Sequence, residues 1–402
     1  MRFSSALFAS LALTACQGFV LKTPTTSPLQ QHTQQLRQGS SLNMVASESL
    51  KAPGTAKMDT PWNELGFEFR PTNSHIRLTF KDGEWGKPEL VKEPYINLHI
   101  GATALHYGQA CFEGLKAFAH EDGSVNIFRP DENSKRMQNS CERTLMPAIP
   151  TDVFVNACKE VVRDNIEYVP PYGSGGALYI RPLLFGSGPK IGLQPADEYT
   201  FLILVIPVGD YYKGGLSAPV DGLLIEDFDR AAPRGVGNVK VAGNYAADLL
   251  PNMLGKKKGF PIGLYLDAAT QSMVEEFSTS NFVGINNEAN TFVTPKSPSV
   301  LPSITNKSLM TIAKDEGLKV EARDIPVEEL DQFDEVLAVG TAVVVTPVGS
   351  ITRFLEDGSE KKYEFGEQNG EIGETTLRLY KKVRDIQNGE VEDTYGWNVK
   401  VN

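Results

Sequence analysis

One lysine in this chain has neighbours suited to chemistry. Lys240 stands between Val239 and Val241, with Gly235 and Gly237 before it and Gly243, Asn244 and Tyr245 behind. An amine in an apolar segment loses hydration, which lowers its pKa and frees it to attack an aldehyde, the making of a Schiff-base lysine. The flanking glycines let backbone or a planar ligand approach closely. A lysine set at a strand edge to block aggregation has the same context, and the residues alone leave the two readings even. Lys256, Lys257 and Lys258, between Gly255 and Gly259, read as a solvated turn.

Three further segments could serve such a lysine. Glu275 and Glu276 precede Ser278, Thr279 and Ser280. A buried carboxylate there could keep a pyridine nitrogen protonated, as a pyridoxal cofactor requires, although a solvated acidic pair is the plainer reading of that feature by itself. The run Ile127-Phe128-Arg129-Pro130 leads into a helical pattern carrying Arg136, whose fork suits either a phosphate or a surface ion pair. Ser303-Ile304-Thr305 and Gly340-Thr341-Ala342 are small-residue turns whose amides can bind anions.

Other chemistries find little support. There is no GxxxxGK[ST], no HExxH and no GxSxG, and Gly235-Val236-Gly237 lacks the third glycine of a dinucleotide fingerprint. Four cysteines, at 16, 111, 141 and 158, show no zinc-ligand or disulfide-framework spacing, so no metal is expected. With 39 basic and 50 acidic residues the net charge is −11, which disfavours nucleic acid as a partner. No apolar run reaches the roughly 18 residues of a membrane-spanning helix.

These residues must be held by elements of both kinds. Strands are expected over 177–185 and 200–208, the second apolar enough to be buried on both faces, and over 335–348. Helices are expected over 131–145, with Met137, Cys141 and Leu145 at four-residue spacing, and over 151–168, with Thr151 as N-cap. A third should run from Ser303 or Thr305 to Gly317 as its C′ residue. At about 150 residues per domain, 402 residues make two to three domains. The glycines between Gly209 and Asp221 suggest the connection. The expected organisation is an α/β (α+β type) two-domain fold: a smaller domain over 47–213, a linker over 214–227, and a larger domain over 228–402 carrying Lys240. A ligand would lie between the two.

Residues 1–46 differ from the rest. No acidic residue precedes Glu48, a short apolar run ends at Ala15-Cys16, and 22–41 is rich in Ser, Thr and Gln. This reads as a targeting leader, its two-part composition favouring a plastid over a mitochondrion.

Taken together, the segments closely resemble branched-chain amino-acid aminotransferases, the pyridoxal-phosphate enzymes of fold type IV. The resemblance runs from about residue 60 to the C-terminus. It rests on Leu105 to Gly108, Phe112-Glu113-Gly114, Phe128-Arg129-Pro130 with Arg136, Leu178 to Pro182, Gly237 to Lys240 with Gly243-Asn244-Tyr245, Glu276 to Asn281, and Gly340-Thr341-Ala342. It implies pyridoxal 5'-phosphate as cofactor, a homodimer, and transamination of L-leucine, L-isoleucine and L-valine with 2-oxoglutarate. Lys240 would be the catalytic lysine, Glu276 the partner of the pyridine nitrogen, and Tyr245 a neighbour of the phenolic oxygen. Arg136, the amides of Ile304 and Thr305, and Thr341 would hold the phosphate, with Arg230 and Thr279 supporting the cofactor. Thr341 and Ala342 would cradle the substrate carboxylate. Tyr107, Phe112, Tyr179 and Tyr211 would wall the side-chain pocket, with Leu193 arriving from a partner subunit; Arg181 and the tyrosine hydroxyls are the candidates to receive glutamate's second carboxylate. Rivals within the fold type are D-amino-acid aminotransferase and aminodeoxychorismate lyase; a non-catalytic metabolite-binding protein is a further alternative. The thiol pair that mammalian relatives carry after Thr-Ala is replaced here by Val343 to Thr346.

Overall fold

The computed structural model describes residues 51–209, 216, 218–366 and 371–402, within one compact unit beginning at Leu50. The expected leader, Tyr211 and most of the stretch between Gly209 and Pro219 lie outside the described residues.

Two nine-stranded sheets carry the architecture. The first is antiparallel and runs, across its width, Asn398–Lys400, Val125–Phe128, Leu115–Ala119, Ala177–Gly186, Tyr199–Val208, His75–Lys81 and Glu84–Trp85. Its central pair sets Arg181 opposite Leu204 and Tyr179 opposite Ile206. Side chains alternate across a strand, and here the alternation divides labour. Leu178, Ile180 and Leu184 are fully buried in a core shared with Phe154, Val161 and Val162 of the helix Thr151–Asp164 and with Met137 and Cys141 of the helix Pro130–Arg143. Tyr179, Arg181 and Leu183 turn to the other face, towards a cavity. Tyr199–Val208 is buried on both faces only from Val205 onward; before that it alternates.

The helices depart from expectation at their ends. The first stops at Arg143, and Leu145 is exposed in a left-handed conformation, so it does not extend the apolar face. Pro150, not Thr151, is the N-cap of the second. The Thr151 hydroxyl accepts from Gln138 Nε2 and Ser134 Oγ of the preceding helix instead of its own first-turn amides. That helix ends at Asp164 because the Asn165 side-chain amide donates to the Val161 and Ser74 carbonyls, and one 3₁₀ turn, Ile166–Tyr168, follows.

The second sheet is mixed. Val274–Phe277, Ile262–Leu266, Val220–Ile225, Val344–Phe354, Glu335–Gly340 and Asn281–Asn286 lie side by side, and pairing of Glu276 with Asn281 closes these six strands into a ring. The apolar run 335–348 is two of these strands, Gly340 pairing with Val344 across the turn 341–343. A helix over Ile304–Asp315 is capped by the Ser303 hydroxyl, which accepts from the Asn306 amide, and is followed by Gly317 at φ +85°. It packs with the helix Glu374–Asn388 through Leu309, Ile312, Leu379, Val383 and Ile386. The same cluster takes in Val283, Leu337 and Val345 of the second sheet and Phe118 and Phe128 of the first. At about 1.5–3 kcal/mol per buried large apolar side chain, this shared core is enough to fix one sheet on the other. The last strand, Asn398–Lys400, rejoins the first sheet beside Val125–Phe128, so the C-terminal end of the chain belongs to the N-terminal layer.

Candidate active site

Lys240 is pinned through its backbone on two sides. Its N–H donates to Ser140 Oγ on the Arg136 helix at 2.9 Å, and its carbonyl accepts from the Phe112 amide at 3.1 Å. Val241 bridges to Cys111 next door. Asn244 folds the approach to Lys240 by donating to the Val236 and Val239 carbonyls. Gly237 is required there, since a Cβ would lie 2.2 Å from the Ser299 carbonyl, whereas Gly243 has open space and borders a different cleft. Lys240 is therefore no edge lysine. Its side chain enters a cavity of about 620 Å³, where Nζ donates to Tyr245 Oη at 2.6 Å and lies 4.9 Å from the centre of the Phe112 ring.

Burial, helped by the Arg136 guanidinium, lowers Lys240 to about 7. The neutral amine is the nucleophile. In cofactor-free protein, labelling of Lys240 by an amine-directed reagent should therefore rise with pH through a midpoint near 7 and level off, as peptide mass analysis would record. An ordinary lysine titrates near ~10.4, and a midpoint there would deny Lys240 its perturbed environment.

Around this amine stand four charged groups, Glu276, Arg230, Arg136 and Arg181. Glu276, 4% exposed, lines the cavity; Oε1 pairs with Arg230 Nη2 at 2.5 Å and accepts the Leu301 amide at 3.0 Å, and Oε2 accepts from Asn281 Nδ2 at 3.2 Å. Burial pushes Glu276 up to about 7 against the pull of Arg230. Arg136, 7% exposed, is gripped by Glu113 through Nε and Nη2 at 2.8 and 2.7 Å and reaches the Pro302 carbonyl at 3.2 Å, just before the Ser303 cap. Arg181 donates to Tyr179 Oη at 2.9 Å and lies over the Phe112 ring at 4.8 Å.

The structure thus brings Lys240, Arg136, Tyr245, Glu276, Thr279, Arg230, Thr341, Ala342, Phe112, Tyr179 and Arg181 to one cavity. Others stand apart. Tyr107 and Leu193 line a separate cleft of about 440 Å³ with Leu145 and Val241; their elements sit beyond the edge of the main cavity, so neither reaches it within one chain. Ile304 and Thr305 border a void of about 20 Å³ behind Thr341, and the helix-start residue that lines the main cavity is Ser303. Tyr211 lies outside the described residues. Arg129 is structural: it stacks on Trp397 at 4.7 Å and donates to Ser308 Oγ at 2.7 Å. Sequence reasoning misses a role for Glu113, fully buried beneath Arg136, although its place between Phe112 and Gly114 is a signal. Gly114 is needed sterically, because a Cβ there would lie 2.2 Å from Tyr179 Oη.

An amine, a buried carboxylate, a guanidinium and a helix start around a cavity between two sheets define a class of protein before any particular one. Residues 110–351 match the family model described as Amino-transferase class IV, and the chain belongs to that family, with the two-layer α/β architecture of fold type IV. The branched-chain-amino-acid aminotransferase of Haemophilus influenzae is 47% identical over 349 residues, 85% of this chain and 99% of the relative. Branched-chain-amino-acid aminotransferase 3, chloroplastic, of Arabidopsis thaliana is 41% identical over 362 residues, covering 89% and 85%. Among solved structures, the branched-chain amino acid aminotransferase of Escherichia coli superposes with a TM-score of 0.68 at 27% identity, covering 82% of this chain and all of that one. The protein is an aminotransferase of the branched-chain-amino-acid group within the class.

Proposed function

We propose that this protein transaminates L-leucine, L-isoleucine and L-valine with 2-oxoglutarate, using pyridoxal 5'-phosphate. The observation that carries the reading is one cavity combining a low-pKa lysine, a carboxylate and a phosphate-suited arginine with an aromatic wall interrupted by a single guanidinium, Arg181.

The donor set fits that cofactor. Arg136, held flat by Glu113, and the helix start at Ser303 suit a phosphate. Glu276, poised near neutrality by burial, would gain full charge beside a protonated pyridine nitrogen, with Arg230 holding its geometry. When bound, the cofactor supplies an electron sink for the pair left on the substrate Cα. Lys240 Nζ, uncharged for much of the time near pH 7, receives the proton leaving Cα, and Tyr245 Oη at 2.6 Å orients that amine. Phe112, Tyr179, Leu183 and Leu204 offer apolar surface to a branched side chain. Glutamate must occupy the same place, and its second carboxylate would be strongly disfavoured there without a partner; Arg181 supplies one.

Arg181→Met in the holoenzyme tests this. kcat/KM for glutamate or 2-oxoglutarate should fall at least about tenfold more than for leucine, since a hydrogen bond to a charged group is worth about 1.5–3 kcal/mol. Equal losses in a well-folded protein would remove the dual-recognition role and the substrate assignment with it.

Two finer readings accompany this one. Tyr107 and Leu193 belong to the pocket through a second copy of the chain. They sit near the exposed Leu105, Leu145 and Ile191, an apolar surface that dimerisation would cover. Residues 1–46 are an organelle address, a plastid one by their composition, in keeping with the chloroplastic relative in Arabidopsis.

A further inference from the structure

Lys116 is a buried lysine that the proposed chemistry does not use. It lies on the strand Leu115–Ala119 of the first sheet, 5% exposed, and its Nζ donates to the Ala342 carbonyl at 2.7 Å. That bond crosses from the first sheet to the turn 341–343 of the second, the turn that lines the cavity with Thr341 and Ala342. A lysine this far from water is costly to bury, so each of its hydrogen-bond counterparts matters, and the Ala342 carbonyl is one of them.

The turn ends at Val344, which is 2% exposed and has φ +70°. Left-handed backbone is uncommon for a β-branched residue and persists only where surrounding contacts impose it. With Val344 so placed, the short link between Gly340 and Val344 sets Thr341 and Ala342 in the cavity lining, and Lys116 clamps one of its carbonyls from the opposite sheet. The same lysine borders, with Thr305, Thr341 and Gln387, the 20 Å³ void behind the turn, polar and large enough for a single water. Three residues before Lys116, Glu113 holds Arg136. One short segment, 113–116, therefore steadies both anion-facing parts of the cavity.

We propose that Lys116 is a positioning residue for the substrate α-carboxylate: by clamping the Ala342 carbonyl it holds the strained turn so that the Thr341 and Ala342 amides face the bound acid. The proposal rests on the aminotransferase reading only in taking a carboxylate as the ligand, which every amino acid and 2-oxo acid shares. It says nothing of the side chain, so it survives a wrong choice of amino acid.

The test uses holoenzyme and an unreactive probe, 4-methylpentanoate, which has the carboxylate but no amino group. Its Kd is measured beside KM and kcat for whichever amino acid the wild type prefers. Lys116→Met should raise Kd and KM about tenfold, leave kcat within about twofold, and leave the cofactor-to-protein ratio unchanged. Lys116→Arg should restore most of the affinity. Adding Val344→Gly to Lys116→Met should also recover affinity, because glycine adopts φ +70° without help. Lys116→Gln is titrated in parallel in case the Met protein is too unstable. An unchanged Kd in Lys116→Met or Lys116→Gln, a fall in kcat matching the rise in KM, or no recovery on adding Val344→Gly would overturn the proposal.

Discussion

Replacing Lys240 by alanine is expected to abolish transamination. Its Nζ enters the cavity, and the next lysine near that space, Lys116, is committed to the Ala342 carbonyl. Proton transfer by a positioned group is worth roughly 10²–10⁴ in rate, and the covalent hold on an aldehyde would be lost as well. Steady-state assays should find no turnover above the blank, with circular dichroism unchanged because the backbone bonds to Ser140 and Phe112 do not involve the side chain. Sustained turnover in a folded Lys240→Ala protein would move the role elsewhere.

The second large effect belongs to Glu276→Gln. A neutral amide keeps the shape of the carboxylate, but with one acceptor oxygen it can accept from only one of the Leu301 amide and Asn281 Nδ2, and it cannot balance a protonated pyridine nitrogen. The expected loss in kcat is about 10²–10³, the usual scale for removing one preorganised electrostatic contact. The change also leaves Arg230 buried without its counter-charge, and unpairing a buried ion pair costs about 3–5 kcal/mol. Activity must therefore be compared below the variant's own melting temperature. Near wild-type kcat there would point to Glu275, whose carboxylate instead faces Ser297.

What the sequence can tell of the site depends on the kind of information each residue carries. Lys240, Glu276, Arg136 and Tyr245 sit in short motifs whose chemistry is local, and one cavity receives them all. Tyr179 and Arg181 share a face because a strand repeats every two residues, which spacing alone conveys. Glu113 and Lys116 act across the fold, on Arg136 and on the 341–343 turn, and no local pattern announces such a partner. Tyr107 shows the limit from the other side: its motif, Leu105 to Gly108, is clear, yet one chain carries neither it nor Leu193 to the cavity.

The fold shows the same division. The helix over Ile304–Asp315 is readable from Ser303 to Gly317 because both ends have capping chemistry. Within 335–348 the run of valines hides a turn, since Val344 takes a backbone conformation its side chain does not advertise. The helix Glu374–Asn388 escapes the sequence reading although Leu379, Val383 and Ile386 lie at helical spacing. The ring of six strands needs Val220–Ile225 to pair with Val344–Phe354, far away in sequence and without a sequence mark, although its closing contact, Glu276 with Asn281, is local.

The most direct test of the central claim follows the nitrogen itself. Holoenzyme lacking residues 1–46 is incubated with 2-oxoglutarate and an equimolar mixture of L-leucine, L-isoleucine, L-valine, L-alanine, L-aspartate and D-alanine. In each run one of these carries ¹⁵N, and glutamate is analysed by mass. The account predicts ¹⁵N-glutamate from the three branched L-amino acids, at rates at least about tenfold above the others, since each buried methylene adds about 0.8 kcal/mol. Label arriving chiefly from D-alanine, or none from leucine, would contradict it.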